Sequence, residues 1–269
     1  MDGSPATPDQ RPSGAQAVHR ALGVLGCFRD EGPELSASHL ARRLRLSVST
    51  THRLARTLVS AGFLEQDRRT SRYRLGPAVT ELGRLSYYQR GLHLADPELE
   101  MLARRTSTTA DLAIRSGRHA VIMAGGSAPA DSSAGLARPL HSTALGKVLL
   151  AWARPGEDDL AALGPLEAHT GRTIVDPAAL RAELARVRAD GYALNDGESA
   201  AGVRTLAVPI LDVSGYAHSA LALRSTPSVL TDERIPWFLA MAQNAAAGLE
   251  VLLLPPELRR PPLLPPPPG

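Results

Sequence analysis

Two short helical stretches, each opening on a serine and meeting over Arg45-Leu46, constrain this chain more than any other feature. Ser36 stands where an N-cap belongs, because its hydroxyl can accept from a free first-turn N–H, and Ala37, Leu40, Ala41 and Leu44 follow at three-and-four spacing. Ser47 stands in the same relation to Val48, Thr51, Ala55 and Leu58. Helices this short need a partner for their apolar stripes. Val18, Ala21, Leu22, Leu25 and Phe28 offer one on a preceding helix that Gly32-Pro33 ends. The spacing predicts a helix-turn-helix whose second member carries Ser49, His52, Arg53 and Arg56 on its outward stripe.

Residues 63–66 and 72–75 read as strands joined by the polar tip Asp67-Arg68-Arg69-Thr70-Ser71, and a basic hairpin directly after a helix-turn-helix is a wing. Charge separates along the chain in the same place. Residues 17–90 hold 13 Arg against 6 acidic residues, whereas residues 91–269 hold 16 basic residues against 19 acidic ones. A local excess of arginine suits a polyanion, whose counterions are released on binding; the blander reading is a solvated charged face.

Pro77 opens a helix to about Arg90, with Val79, Leu82, Leu85 and Tyr88 or Gln89 along it, and Asp96-Pro97 restarts a helix. Strands are expected near 112–114, 121–124, 192–195, 205–211 and 217–224. Helices are expected near 143–153, from the Asp176-Pro177 cap to Asp190, and after Thr231. The turn Asp212-Val-Ser-Gly215 favours an antiparallel hairpin, so the larger domain is α+β with a mainly antiparallel sheet. The expected organisation is a disordered tail over 1–14, a winged helix-turn-helix over 15–76, a linker helix over 77–95, a larger domain over 96–254 and a proline-rich tail over 255–269.

No apolar run reaches the eighteen or so residues that span a bilayer, and residues 1–14 lack both a basic and an apolar leader region, so a cytoplasmic protein is expected. Cys27 is the sole cysteine, which forbids an intrachain disulfide and suits packing. The sequence contains no Gly-x-Ser-x-Gly, His-Glu-x-x-His, Rossmann glycine fingerprint or paired Cys-x-x-Cys, so neither catalysis nor a metal or cofactor is expected. His141-Ser-Thr-Ala-Leu-Gly-Lys147 resembles the end of a phosphate-binding loop, but it lacks the first glycine, and Val148 stands where Ser or Thr is required. Lys147, the only lysine, either orients an anion or lies on the surface.

Ala17-Val-His-Arg-Ala-Leu22, the paired helices from Ser36 to Ala55, Ser71-Arg-Tyr-Arg-Leu-Gly76, the His141–Lys147 segment and Gly202-Val-Arg204 together resemble IclR-type bacterial transcriptional regulators, from about Gln16 to Leu253. The resemblance implies a winged helix, a linker helix and a GAF-like α/β domain that binds an effector and oligomerises. It also implies assembly with itself as dimers or dimers of dimers on palindromic or repeated double-stranded operators. On this reading Ser47, Ser49, Thr50, His52, Arg53, Arg56, Arg68, Arg69 and Arg72 contact DNA, and Ala144, Leu145, Asn195, Thr205, Ala222 and Arg224 line the effector pocket. Relatives that bind small carboxylates commonly carry Asp at the place of Asn195 and Cys at that of Thr205, and Val48 replaces a frequent basic residue. Arg224, if it points inward, suits an organic acid. The competing readings are a non-specific architectural DNA binder and an enzyme with an appended winged helix, the latter drawing on His119, His141, Asp196 or His218.

Overall fold

The computed structural model describes residues 13–29, 31–127, 136–157 and 159–261. The chain divides into two compact units, Met1–Ser86 and Tyr87–Gly269. In the smaller unit α1 (Ser13–Cys27), α2 (Ala37–Leu44) and α3 (Val48–Ser60) precede a hairpin of β1 (Leu64–Gln66) and β2 (Tyr73–Leu75), after which α4 (Pro77–Gln89) leads into the larger unit. Both serine caps form: Ser36 accepts from the His39 N–H at 3.2 Å and Ser47 from the Thr50 N–H at 3.1 Å. Between them Arg45 turns the chain at φ 54°, a left-handed conformation in which its N–H bonds back to the carbonyls of Ala41 and Arg42.

Thr51, Ala55 and Leu58 form the buried stripe of α3, and with Val24, Cys27, Phe28, Leu35, Leu40, Leu64 and Tyr73 they make the core of this unit. The α1 expectation needs correction. Val18 and Leu22 are 61% and 60% exposed, and the residue wholly buried in their place is Val24, because a rotation of 100° per residue aims Val24 and Cys27 at α2 and α3. α4 buries no residue, and Leu82 and Leu85 lie open.

The larger unit comprises α5 (Leu92–Thr106), β3 (Thr109–Ser116), β4 (His119–Gly125), β5 (Ala137–Pro139), α6 (Ala144–Ala151), α7 (Pro177–Asp190), β6 (Ala193–Asp196), β7 (Arg204–Leu211), β8 (Ala217–Ser225) and α8 (Ile235–Leu253). Its six strands lie in the order β5-β4-β3-β8-β7-β6, every neighbour antiparallel, and the fold is mixed α+β as expected. Strand alternation divides the core in two. Leu112, Leu206, Val208, Ile210, Leu221 and Leu223 meet α5 and α8, whereas Ala113, Ala120, Ala207, Ala220 and Ala222 face α6. Each fully buried leucine contributes roughly 1.5–3 kcal/mol, and the alanines let α6 lie close to the sheet.

Several boundaries differ from the sequence reading. α5 begins at Leu92 instead of Asp96 and carries Pro97 inside it, because Leu92, Ala95, Leu99 and Leu102 form one buried stripe whose packing outweighs the missing proline N–H. Residues 255–261, placed in a proline-rich tail, are held: the Leu258 carbonyl accepts from the Val213 N–H, and Arg260 pairs with Glu250. Residues 13 and 14, assigned to the other tail, begin α1, while 1–12 and 262–269 lie outside the described residues.

Candidate nucleic-acid and ligand sites

α3 exposes Val48, Ser49, His52, Arg53, Arg56, Thr57 and Ser60, and a shallow surface groove follows Ser49, His52, Arg53, Arg56, Thr57 and Ser60 along it. This is the predicted outward stripe. Ser47 accepts the cap bond and donates to the Thr50 hydroxyl at 2.8 Å, so its own hydroxyl serves the helix first. Thr50 is half-buried. His52 is anchored from below: its Nδ1 lies 3.2 Å from the hydroxyl of Tyr73, a contact the sequence reading missed.

At the wing tip the Asp67 carboxylate accepts from the N–H groups of Arg69 and Thr70 and from the Thr70 hydroxyl, and the bonds from Thr70 hold its pKa below the ordinary value. This turn presents Arg68 and Arg69 to solvent. Arg72 reaches the Glu34 carbonyl at 3.4 Å, a contact weak enough to exchange for a phosphate, whereas Arg74 pairs with Glu65 at 2.7 Å.

All six candidate effector residues belong to the α6 side of the larger unit. Ala144 and Leu145 open α6, and alternation with Leu194, Leu206 and Leu223 places Asn195, Thr205, Ala222 and Arg224 on the facing sheet surface. Thr205 pairs with Asn195 on one side and Arg224 on the other, which sets the three in a row across β6, β7 and β8. Asn195 is committed to its own loop: its carbonyl oxygen accepts from the Glu198 N–H and its amide donates to the Ser199 hydroxyl.

Arg224 donates to the Ser127 hydroxyl at 2.8 Å and lies 3.9 Å from the Asp111 carboxylate. Asp111, 2% exposed, also accepts from the Ser127 N–H and hydroxyl. Burial pulls the Arg138 guanidinium below its ordinary pKa, with Asp111 acting against that shift and Arg224 adding to it. Arg138, Arg224 and Asp111 thus share one neighbourhood. Sequence reasoning missed Asp111, Ser127 and Arg138; a lone carboxylate beside the apolar run of β3 was the available signal.

The His141–Lys147 motif resolves residue by residue. His141 donates from Nε2 to the Glu167 carbonyl and stacks on His169, and burial holds its pKa below the ordinary value. Ser142 is fully buried with no hydrogen-bond partner among the described residues. Thr143 caps α6 by accepting from the Gly146 N–H and donates to the Pro139 carbonyl. Gly146 admits no larger residue, since a β-carbon there would lie 2.3 Å from the Leu140 carbonyl oxygen. Lys147 is neither on the surface nor open to an anion. It is wholly buried and donates to Glu183 at 2.8 Å, Glu198 at 2.7 Å and the Leu194 carbonyl at 2.7 Å.

The residues considered for catalysis do not converge as a set. His119 and His141 line one cavity with His169, Asp196 pairs with Arg172 and Arg204, and the neighbours acting on His218 are Arg90, Asp212 and Arg154. Burial lowers the His218 pKa. Among the described residues no group of three or more His, Cys, Asp or Glu is arranged to hold a metal, and no helix is long and apolar enough to cross a membrane.

Comparison with known proteins matches the same two regions. The family model "IclR helix-turn-helix domain" covers residues 17–68, and the one described as "Bacterial transcriptional regulator IclR C-terminal" covers 91–251. The chain is 35% identical over 244 residues to the HTH-type transcriptional regulator XynR of Escherichia coli (strain K12), a match covering 87% of this chain and 95% of that protein. A crystal structure of an IclR transcriptional regulator from Silicibacter sp. TM1040 superposes with a TM-score of 0.81 at 30% identity, covering 91% of this chain and 98% of the other. An IclR homologue from Microbacterium hydrocarbonoxydans, crystallised with 4-hydroxybenzoate, gives a TM-score of 0.71 at 28% identity, covering 88% and 98%.

Proposed function

The chain belongs to the IclR family of bacterial transcriptional regulators, and we propose that the α6 side of its larger sheet takes a small organic acid that modulates operator affinity. The observation that carries this is Arg224, which ends the row Asn195–Thr205–Arg224 on the α6 side of the sheet and is met there by the Ser127 hydroxyl at 2.8 Å and, at 3.9 Å, by the Asp111 carboxylate. A carboxylate would bind by displacing the Ser127 hydroxyl from Arg224, whose planar fork suits two oxygens. Thr205, Ala144, Leu145 and Ala222 then frame the body of the ligand, with Asn195 holding the loop beside it. The relative crystallised with 4-hydroxybenzoate carries a ligand of this chemistry.

On the DNA side, residues 15–76 act as the winged helix, 77–95 as linker and 96–254 as the sensing and assembling domain. Ser47, Ser49, Thr50, His52 and Arg53 approach bases or phosphates, and Arg56, Arg68, Arg69 and Arg72 hold the backbone. Val18 and Leu22 on α1, with Leu82 and Leu85 on α4, leave apolar surface that a second copy would cover, which supports a homodimer or dimer of dimers on a two-fold operator. The protein acts in the cytoplasm as a sensor and performs no reaction of its own.

Two measurements test this. Calorimetry with a panel of monocarboxylates on wild type, Arg138→Ala and Arg224→Ala should show binding weakened at least tenfold in each variant; equal binding by all three rejects the acid site. Fluorescence anisotropy on DNA upstream of the gene against a scrambled duplex, over a salt series, should show at least about a hundredfold preference. Equal, steeply salt-dependent binding to every duplex tried would favour the architectural reading.

A further inference from the structure

We propose that Tyr73, a buried residue of the wing strand, is a positioning residue that fixes His52 on α3 as a hydrogen-bond donor to bases, so that one operator position excludes cytosine. The inference rests on α3 entering the major groove. Its basis is the join between two elements that the helix-turn-helix pattern treats separately.

Tyr73 is 1% exposed and its backbone is held on both sides. Across the hairpin it pairs with Gln66, and it exchanges two 2.9 Å hydrogen bonds with Leu35. Its ring therefore has a fixed origin, and from there the hydroxyl reaches His52 Nδ1 at 3.2 Å with the two rings edge-on, 6.4 Å apart. Neither group has a second hydrogen-bond partner among the described residues. Burial raises the Tyr73 pKa above its ordinary value in spite of the Arg56 charge nearby, so the phenol keeps its proton at neutral pH.

A buried hydroxyl with one neighbour must use it, and a phenol with a single imidazole nitrogen at hand donates to it. Nδ1 is then the acceptor, and the neutral ring carries its proton on Nε2, the nitrogen on the far side from Tyr73. His52 is exposed between Ser49, Arg53 and Arg56 on the groove-facing stripe, so Nε2–H is the atom it offers. In the major groove that donor finds acceptors on guanine (N7, O6), adenine (N7) and thymine (O4), whereas cytosine presents an amino group. A ring already held by Tyr73 also gives up less rotational freedom on binding than a free one.

The test is in vitro selection from random duplexes with full-length wild type, His52→Ala, Tyr73→Phe and Arg56→Ala, alongside melting curves. Wild type should enrich a motif with one cytosine-depleted position per half-site. His52→Ala should remove that depletion and leave the other positions intact. Tyr73→Phe keeps the buried ring and removes only the hydroxyl; it should weaken depletion about three- to tenfold at the same position, with melting and salt dependence unchanged. A Tyr73→Phe motif identical to wild type, or relaxed at a different position from His52→Ala, overturns the proposal. If His52→Ala leaves the motif intact while Arg56→Ala abolishes binding, α3 docks as proposed and only this inference fails. If wild type enriches no motif, sequence-specific reading fails and the inference with it.

Discussion

Replacing Lys147 by methionine removes the ammonium that neutralises two carboxylates inside the larger unit, and the structure sets the size of the effect. Glu183 keeps Arg186 as a partner and is 14% exposed, so water and that guanidinium limit its penalty. Glu198 is nearly as exposed, at 11%, but among the described residues it pairs with no second cation: its Oε2 is without a partner there, its Oε1 depends on Lys147, and burial raises its pKa although Lys147 pulls it back. One uncompensated buried carboxylate predicts a loss of about 3–5 kcal/mol at pH 7.5. For a domain of this size that lowers Tm by roughly 6–20 °C. Both tryptophans, Trp152 and Trp237, belong to the larger unit, so tryptophan fluorescence during urea or thermal unfolding reports this unit alone.

The pH dependence discriminates the cause. A carboxylate whose folded pKa lies above its ordinary 4.5 contributes stability fully below that value and loses it as pH rises through the folded pKa. Without Lys147 the folded pKa of Glu198 climbs further, so the deficit of Lys147→Met should shrink as pH falls from 7.5 to 5. Lys147→Met/Glu198→Gln should recover most of the loss at pH 7.5. A cost below about 1 kcal/mol, or one independent of pH and unrelieved by the second substitution, would refute charge neutralisation as the role of Lys147.

Ser47→Ala should remove the α3 cap at a cost of about 1 kcal/mol, read as roughly fivefold faster amide exchange in the first turn of α3. Gly146→Ala forces a β-carbon against the Leu140 backbone and should lower stability by about 2–3 kcal/mol in the tryptophan-monitored transition. His141 has a folded pKa below its ordinary 6.5, so the unfolded imidazole takes up its proton first as pH falls. Its contribution is present above pH 6.5 and is lost below it, and His141→Asn should show a smaller decline in stability than wild type between pH 7 and pH 5.

Local signals read well where the physics is local. The caps at Ser36, Ser47 and Asp176 depend on one hydroxyl or carboxylate and the next turn, and each is found in place. The Asp212 turn likewise closes on itself, with its carboxylate accepting from Ser214 and Tyr216, and β7 and β8 follow as an antiparallel pair. β5 escaped notice because three residues show no alternation to count, and its existence depends on the edge of β4. Val18 and Leu22 misled for the related reason that a helix with two apolar faces does not declare which of them its own chain will cover.

The candidate sites failed to read from sequence where a charge takes its role from a distant partner. Lys147 drew attention as the only lysine, yet Glu183 and Glu198, 36 and 51 residues onward, make it an internal tie between α6, α7 and the loop after β6. Arg138 and Asp111 look ordinary along the chain and acquire meaning only because β3, β4 and β5 are neighbours and Arg224 on β8 lies on the same surface. The same holds for His52, whose hydrogen-bonding role is assigned by a tyrosine 21 residues away in another element. Rarity of residue type is therefore a poor guide to which cation meets a ligand. The better guide is what already surrounds the cation: the three groups around Lys147 satisfy its three protons, whereas Arg224 is met by a hydroxyl at 2.8 Å and by a carboxylate only at 3.9 Å.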